Sequence, residues 1–194
     1  MSNLNGDGFG VGWYSNSSED QKPCVFTSIL PAWNNNNLAR LAEKVYSPLI
    51  FAHVRAAYPG MPVSEQNCHP FAYGKYMFMH NGNVGDFLKV RRILLGDMSE
   101  EVYNSCQSFH SDSAVCFAVF LNQLKDFETE YSAIELAQKM DETMEVILDA
   151  CREAKCEESS LLNFVLSDGK TVIATKHSSS GSSRHDWLLH LQLG

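Results

Sequence analysis

The feature that most constrains this chain is a short apolar run, residues 76–79, that leads directly into His80-Asn81-Gly82. The run predicts a strand, because aromatic and other apolar residues favour a strand and Asn-Gly marks its end. Asn-Gly is also the strongest short-range signal for a type I′ hairpin. At the end of a strand, however, the same dipeptide can aim a side-chain amide and a backbone N–H at one point, as in an oxyanion hole. The dipeptide alone favours the hairpin.

The composition predicts one soluble globular domain. The chain has 194 residues, 44% of them hydrophobic and 20% charged, which is enough to bury a core. Its net charge of -8 argues against a nucleic-acid partner, because binding to phosphates requires clustered Lys and Arg. The first residues form no basic or apolar leader, and no segment reaches membrane-spanning length. We therefore expect no nucleic-acid or membrane partner and a cytoplasmic location.

The cysteines predict neither a redox motif nor a zinc ribbon. The six cysteines form no C-x-x-C pair, so in a reducing compartment we expect free thiols. Cys116 and Cys151 fall on apolar helix faces, where cysteine acts as a small hydrophobe. Cys68 and His69 are adjacent, and in an extended segment neighbours point to opposite faces. They are therefore a poor nucleophile and base pair.

Periodicity predicts most of the secondary structure. A hairpin is expected from the strands at residues 9–14 and 24–27, and a strand–turn–strand unit from residues 160–175. The predicted helices lie at residues 38–45, 87–95, 111–124 and 132–151, the first of them covering one sheet face and the last opened by a capping box. From residue 177 onward the chain is serine-rich and resembles a linker-like tail.

The glycine-rich stretch at residues 5–12 does not fit a phosphate-binding loop. Such loops follow a strand and open a helix, whereas this stretch precedes a strand-like alternation. Its glycines, Gly8 among them, are better explained by a turn or by close approach of the backbone to a ligand or neighbour.

Two charged residues stand where a strand ends and where a helix begins. Residues 48–55 start as a continuous apolar run, which predicts a strand buried on both faces, and end in Arg55. A guanidinium there either pairs with a protein carboxylate or receives a ligand carboxylate through two parallel N–H bonds. Asp112 lies in the first turn of a helix capped by Ser111, where the helix dipole alone would favour it.

A zinc site is a weaker alternative. His53, His69 and His80 could supply the ligands on composition, but their spacing matches no metal signature. No metal or other cofactor is therefore expected.

Four separated motifs together suggest one family. They are the Gly-Asp-Gly-Phe-Gly loop, the strand ending in Ala52-His53-Val54-Arg55, the strand ending in His80-Asn81-Gly82, and Ser111-Asp112-Ser113. In this order they resemble the class II glutamine amidotransferases, and more narrowly the amidotransferase-type subunits of the fungal glutathione-degrading complex.

The resemblance implies an α+β fold of the N-terminal-nucleophile (Ntn) hydrolase class. This fold is an αββα four-layer sandwich of two mainly antiparallel sheets between helices. In this chain we expect it to lack its first strand and its C-terminal part. Residues 1–176 would be a partial amidotransferase domain, and residues 177–194 a divergent, linker-like tail.

The resemblance also implies roles for individual residues. Arg55 matches the clamp for the α-carboxylate of a glutamyl substrate, and Asp112 matches the carboxylate that receives its α-ammonium. Asn81 and Gly82 match the oxyanion hole. His80 and Gly8 belong to the same motifs and are expected at the substrate.

The family's nucleophile is a cysteine at the mature N-terminus, and none of the six cysteines matches it. Ser2 is at the wrong position and is a poor nucleophile. We therefore expect a shortened form, inactive by itself, of a domain that hydrolyses the γ-glutamyl amide bond of glutamine or glutathione. The alternative is a non-catalytic glutamyl-binding subunit that binds a partner of metallopeptidase type. A metal hydrolase that uses the histidines is a third hypothesis.

Overall fold

The computed structural model describes residues 5–15, 21–57, 62–180 and 187–192. Three strands form one sheet in the order β2-β1-β3: β1 (Phe9–Tyr14), β2 (Pro23–Ser28) and β3 (Ile50–Val54). Five strands form a second sheet in the order β4-β5-β6-β7-β8: β4 (Phe71–Tyr73), β5 (Tyr76–Asn83), β6 (Leu161–Ser167), β7 (Thr171–Lys176) and β8 (Trp187–Gln192). The α-helices are α1 (Asn36–Ala42), α2 (Phe87–Gly96), α3 (Glu100–Ser105), α4 (Asp112–Asn122) and α5 (Ala133–Glu153). Every strand pair is antiparallel, which confirms the predicted α+β class with two antiparallel sheets.

The main core lies between the five-stranded sheet and the helices α4 and α5. Each helix begins where its cap predicts: the Ser111 hydroxyl accepts from the N–H of Ala114, and Ser132 with Glu135 forms the capping box of α5. Every residue of α4 from Ser113 to Leu121 is buried, so this helix is central. On the sheet side, Phe78 stacks on Phe117 of α4 with ring centroids 5.3 Å apart. Both helices therefore pack against the five-stranded sheet in one continuous core.

The three-stranded sheet packs against the other face of the five-stranded sheet through a much smaller core. Tyr14, Phe51 and Met77 are its buried apolar residues. The Tyr14 hydroxyl lies 2.9 Å from the backbone carbonyl oxygens of Lys75 and of Ser167, and it can donate its one proton to either of them. Burial raises the pKa of Tyr14 far above its usual value, so the hydroxyl stays protonated and able to donate. This side chain ties the two sheets together.

The prediction that strand β3 is buried on both faces is wrong, because its outer face is exposed. Ile50 and Val54 are 52% and 47% exposed, and Ala52 between them is also exposed. Only the inner face, with Phe51 buried and His53 half-buried, meets the other sheet. An apolar run indicates that both faces of a strand could be buried. It does not show that other elements of the described chain pack against both faces.

Two further predictions are corrected. Helix α1 buries none of its side chains, so it does not seal a sheet face as expected. The tail is not a linker throughout: residues 187–192 form β8, paired with β7, because their apolar run supplies an edge strand. The N–H of Leu162 donates to the carbonyl of His177, and the N–H of Ser179 donates to the carbonyl of Ser160. The domain boundary at residue 176 stays a prediction.

Within the described ranges, the longest helices lack the length and apolar character needed to cross a membrane.

Candidate functional site

Strand β5 passes straight through Asn81 and Gly82, so the hairpin interpretation of this dipeptide is wrong. The register with β6 continues past the dipeptide as Asn81↔Asn163, Gly82↔Leu162 and Asn83↔Leu161. Side chains alternate along the strand, which places Phe78 and His80 toward α4. Asn81 follows Met77 and Met79 on the opposite face, toward the three-stranded sheet. Asn81 is exposed, and its side-chain amide has no hydrogen-bond partner among the described residues.

Gly82 is required by its backbone geometry. Its φ of 153° lies outside the range that residues with a side chain readily adopt. A Cβ at this position would lie 1.9 Å from the carbonyl oxygen of Leu161 and 2.9 Å from Nε2 of His80. The strand can therefore keep its register beside β6 only with glycine here.

His80 is buried, and both of its ring nitrogens contact protein atoms. Nε2 lies 2.8 Å from the Leu161 carbonyl and Nδ1 lies 3.0 Å from the Ser113 hydroxyl. Burial lowers the pKa of His80, and the nearby Asp112 carboxylate opposes that shift. A neutral ring that donates from Nε2 must accept at Nδ1, so Ser113 donates to it. The ring thus connects β5 to α4 through both of its nitrogens, and its expected place at the substrate stays a prediction.

Asp112 connects the beginning of α4 to the loop after β5. One carboxylate oxygen accepts from the backbone N–H of Val84 at 3.0 Å. The other accepts from the backbone N–H of Ser113 at 2.7 Å and lies 3.2 Å from the Ser113 hydroxyl. The Ser113 proton can serve only one acceptor, so when it goes to His80 each Asp112 oxygen keeps a free lone pair. The carboxylate is held in place and can still receive a cation.

Arg55 follows β3 and is only 5% exposed. Its guanidinium donates to the backbone carbonyls of Asp7 at 3.4 Å and Pro62 at 3.3 Å, both long contacts. Within residues 5–15, 21–57, 62–180 and 187–192, no carboxylate forms an ion pair with it. Of the two explanations that the sequence left open, pairing with a protein carboxylate is not observed.

The glycine-rich loop lies alongside Arg55. The backbone N–H of Arg55 donates to the carbonyl of Gly8 at 2.8 Å, and the N–H of Asp7 donates to the carbonyl of Arg55 at 3.1 Å. Gly8 has a φ of 119°, and a Cβ there would lie 2.7 Å from both the Cys68 sulfur and the Ser28 carbonyl oxygen. The glycine permits this close approach, and the loop is thereby fixed beside the guanidinium.

Two more histidines fill the space between Arg55 and His80. The rings of His53 and His69 lie 4.3 Å apart between centroids. Burial is the main cause that lowers the pKa of both rings, and the Arg55 charge adds to it, whereas a hydrogen bond to the His80 backbone opposes the shift at His53. Both rings therefore favour the neutral form. Neither ring nitrogen of His69 has a hydrogen-bond partner among the described residues. Among the described residues, the guanidinium of Arg55 thus lies beside neutral imidazole rings.

The zinc alternative does not fit this arrangement. His80 uses both ring nitrogens within the protein, so it cannot also ligate a metal beside His53 and His69. Across the described ranges, no group of three or more His, Cys, Asp and Glu side chains is placed to hold a metal ion.

Cys68 lies behind the glycine loop. It is buried, with its sulfur 3.6 Å from the Ser28 carbonyl oxygen and 3.5 Å from that of Ser64. Burial raises the pKa of its thiol, although the Arg55 charge opposes the shift. A thiol held protonated in this way is a weak nucleophile.

The sequence did not predict the contacts that three residues of the site make. The sequence indicates Ser113 only as part of a helix start, but its hydroxyl lies between His80 and Asp112, within hydrogen-bond distance of both. Asn163 lies opposite Asn81 and donates to the Asn81 carbonyl oxygen at 2.7 Å. An asparagine in an otherwise apolar strand was the available signal. His69 was considered only as a zinc ligand and as the neighbour of Cys68, and its place beside His53 depends on how the two sheets meet.

The family model for class II glutamine amidotransferases matches residues 1–187. The probable glutamine amidotransferase DUG3 of Saccharomyces cerevisiae is 42% identical over 190 residues, which cover 91% of this chain and 53% of the yeast protein. The γ-glutamyl-hercynylcysteine sulfoxide hydrolase of Mycobacterium tuberculosis is 33% identical over 81 residues, 42% of this chain and 33% of that protein. The chain thus spans about half the length of the yeast relative and a third of the mycobacterial one.

Solved structures show the same architecture. A glutamine aminotransferase class-II domain protein from Silicibacter pomeroyi superposes with a TM-score of 0.71 at 26% identity, covering 94% of this chain and 77% of its own. Glutamine phosphoribosylpyrophosphate amidotransferase from Bacillus subtilis gives a TM-score of 0.55 at 15% identity, covering 96% of this chain and 36% of its own. The second likeness concerns the fold alone.

Proposed function

The chain belongs to the class II glutamine amidotransferases, and from that premise we propose that its site binds the glutamyl group of glutamine or glutathione. In the complete reaction of this type, the γ-amide bond of that group is hydrolysed. In this assignment Arg55 binds the α-carboxylate of the substrate, and Asp112 binds its α-ammonium. Asn81 and Gly82 face the reacting γ-carbonyl.

The guanidinium of Arg55, which forms no ion pair with any described carboxylate, is the observation that carries the proposal. A buried charge without a counter-charge is costly, and two long bonds to carbonyl oxygens offset little of that cost. A bound α-carboxylate supplies both the missing charge and the two parallel acceptors that a guanidinium fits. The neutral rings of His53 and His69 leave this anion site without a competing cation.

Asp112 is proposed to receive the α-ammonium. Its bonds to Val84 and Ser113 fix the carboxylate, and a free lone pair remains on each oxygen when Ser113 donates to His80. In this assignment His80 is a positioning residue that acts through Ser113. Gly8 acts in the same indirect way, by setting the loop against Arg55.

Asn81 and Gly82 are proposed as the oxyanion hole. Asn81 is exposed on the face of β5 toward the three-stranded sheet, and its amide has no hydrogen-bond partner among the described residues. The Gly82 backbone geometry leaves no room for a side chain. Loss of one such donor typically costs about 2.7–4 kcal/mol in the chemical step. These groups stabilise charge on a carbonyl oxygen, so they matter to hydrolysis more than to binding.

We further propose that the chain by itself binds the glutamyl group without appreciable hydrolysis. Amide hydrolysis of this type needs an activated thiolate. Cys68 lies near Arg55, but burial raises the pKa of its thiol, which argues against it as the nucleophile. The proposal covers glutamine and glutathione alike, and the cytoplasmic location stays a prediction.

Calorimetric titration with three small ligands tests the binding proposal. L-glutamate has both charged α-groups, 4-aminobutyrate lacks the α-carboxylate, and glutarate lacks the ammonium. We expect glutamate to bind at least about tenfold more tightly than either analogue, because each loses one charged contact. Equal affinities for the three would contradict the assignment. Ammonia release from glutamine by this chain would instead contradict only the proposed inactivity.

A second function, that of an interaction subunit, is favoured by the exposed edge strand. Ile50 and Val54 present apolar side chains to solvent on β3. The resemblance implies a partner of metallopeptidase type. An exposed apolar edge strand is suited to burial against another chain. Co-sedimentation of the chain with that peptidase subunit should be lost in the Ile50→Asp variant. An unchanged co-sedimenting fraction would show that this face is not the interface.

A further inference from the structure

The C-terminal end of α5 forms a Schellman motif. Lys155 has a φ of 52°, in the left-handed region. The N–H of Cys156 donates to the carbonyl of Cys151 at 3.0 Å, and the N–H of Lys155 donates to the carbonyl of Arg152 at 3.1 Å. These are the two bonds that define the motif.

The Schellman motif brings together the side chains at its two outer positions, which are usually apolar. Here both positions are cysteines, so the motif places the side chains of Cys151 and Cys156 beside each other. Both thiols are free and only half-buried, so a small reagent can reach them. Apolar packing would be served equally well by Ala or Leu, and neither of those could pair covalently.

The raised pKa of Cys156 slows the reaction of this pair. Burial and the neighbouring Cys151 raise the pKa of Cys156 to about 11, with Asp86 adding to the shift and Lys89 opposing it. At neutral pH the Cys156 thiol is therefore almost entirely protonated, which slows its reaction but does not prevent it.

We propose that Cys151 and Cys156 are a redox site that closes to an intramolecular disulfide in exchange with a low-molecular-weight disulfide such as oxidised glutathione. The Cys151 thiolate attacks one sulfur of oxidised glutathione, forms a mixed disulfide and releases one glutathione thiolate. Cys156 loses its proton to solvent and attacks the Cys151 sulfur, which releases the second glutathione. The protein loses two electrons and two protons, and one oxidised glutathione becomes two reduced ones.

The pair lies next to the bonds that hold the loop after β5. The Cys151 sulfur is 3.7 Å from the Ser160 hydroxyl, which accepts from the backbone N–H of Gly85 at 2.9 Å. The side chain of Asp86 accepts from the backbone N–H of Glu157 at 2.8 Å, just after Cys156. Closing the disulfide removes the Cys151 thiol as a neighbour of the Ser160 hydroxyl. Because that hydroxyl holds Gly85, disulfide formation should alter the loop that follows Gly82.

Equilibration of the full 194-residue chain in glutathione buffers tests the proposal. After acid quench and alkylation, peptide mass spectrometry identifies the state of each cysteine. We expect a Cys151–Cys156 disulfide that forms in excess oxidised glutathione and reopens in excess reduced glutathione. The Cys156→Ser variant should instead accumulate a glutathione adduct at Cys151, because no second thiol remains to release it. Cys24→Ser removes an exposed cysteine elsewhere and is the matched control.

The rate of closure adds a test that apolar packing alone would not pass. Because the Cys156 thiolate fraction rises about tenfold per pH unit below its pKa, closure should accelerate about tenfold per unit. The proposal is overturned if Cys151 and Cys156 stay alkylatable in excess oxidised glutathione. It is equally overturned if Cys151 pairs with Cys116 or Cys106 instead, or if the Cys156→Ser variant shows no adduct at Cys151.

Discussion

The two sheets of this protein differ in how completely they are covered. On the five-stranded sheet, Phe78, Phe164, Leu166 and Ile173 are fully buried, and α4 and α5 close one face. On the three-stranded sheet only a few apolar residues are buried, and β3 leaves Ile50 and Val54 half in solvent. The first sheet is therefore a stable platform, whereas the second depends on what lies against its outer face.

The proposed site takes its groups from both sides of this contrast. Asp112 and Asn81 are carried by α4 and β5, in the well-packed part. Arg55 comes from the end of the exposed edge strand, held by Asp7 and Gly8. We infer that the oxyanion and ammonium contacts are preorganised by the core, and that the carboxylate contact is the more easily displaced.

The largest expected effect comes from the core of the five-stranded sheet. Phe164→Ala should lower the free energy of unfolding by about 3–5 kcal/mol, because it removes a fully buried ring packed between Phe78 and His80. Ile50→Ala, on the half-exposed edge strand, should change it by less than about 0.5 kcal/mol. Urea unfolding measures both. Similar losses at the two positions would remove the contrast between the sheets.

A smaller effect is expected at Gly82. Gly82→Ala should cost about 1–3 kcal/mol, because the new Cβ would meet the Leu161 carbonyl in an unfavourable backbone conformation. At Gly96, at the end of α2, a Cβ would have no described atom within 4 Å beyond the neighbouring backbone. Gly96→Ala is therefore the matched control and should be neutral or stabilising. If both substitutions are neutral, β5 does not need a glycine to pass the site.

The smallest effect concerns pH. Burial lowers the pKa values of His53, His69 and His80 in the folded state, so between the unfolded and folded values the unfolded chain binds more protons. Stability should be complete above about pH 6.5, the usual histidine value, and fall as pH drops below it. His69→Gln should flatten this fall, with the exposed His110→Gln as the control. A urea midpoint that rises on acidification would show that the rings are not held neutral.

Local patterns predicted the elements, and what they missed depends on contacts distant in sequence. Ser111, Ser132 and Glu135 marked both long helices because caps act within one turn. The Asn81-Gly82 dipeptide was ambiguous, since only pairing with β6 decides whether the strand turns or continues. The exposure of Ile50 could not be read from its apolar neighbours, because coverage is supplied by other parts of a fold. The contacts of Ser113 and His69 depend on how α4 and the two sheets pack together, which no local pattern carries.

The central claim is that Arg55 binds the α-carboxylate of a glutamyl ligand. Calorimetric titration of wild-type and Arg55→Gln chains with L-glutamate and 4-aminobutyrate tests it, with the exposed Arg40→Gln as the control. We predict that Arg55→Gln weakens glutamate at least about tenfold and leaves 4-aminobutyrate, which has no α-carboxylate, unchanged. Equal weakening of both ligands, or unchanged glutamate affinity, would contradict the claim.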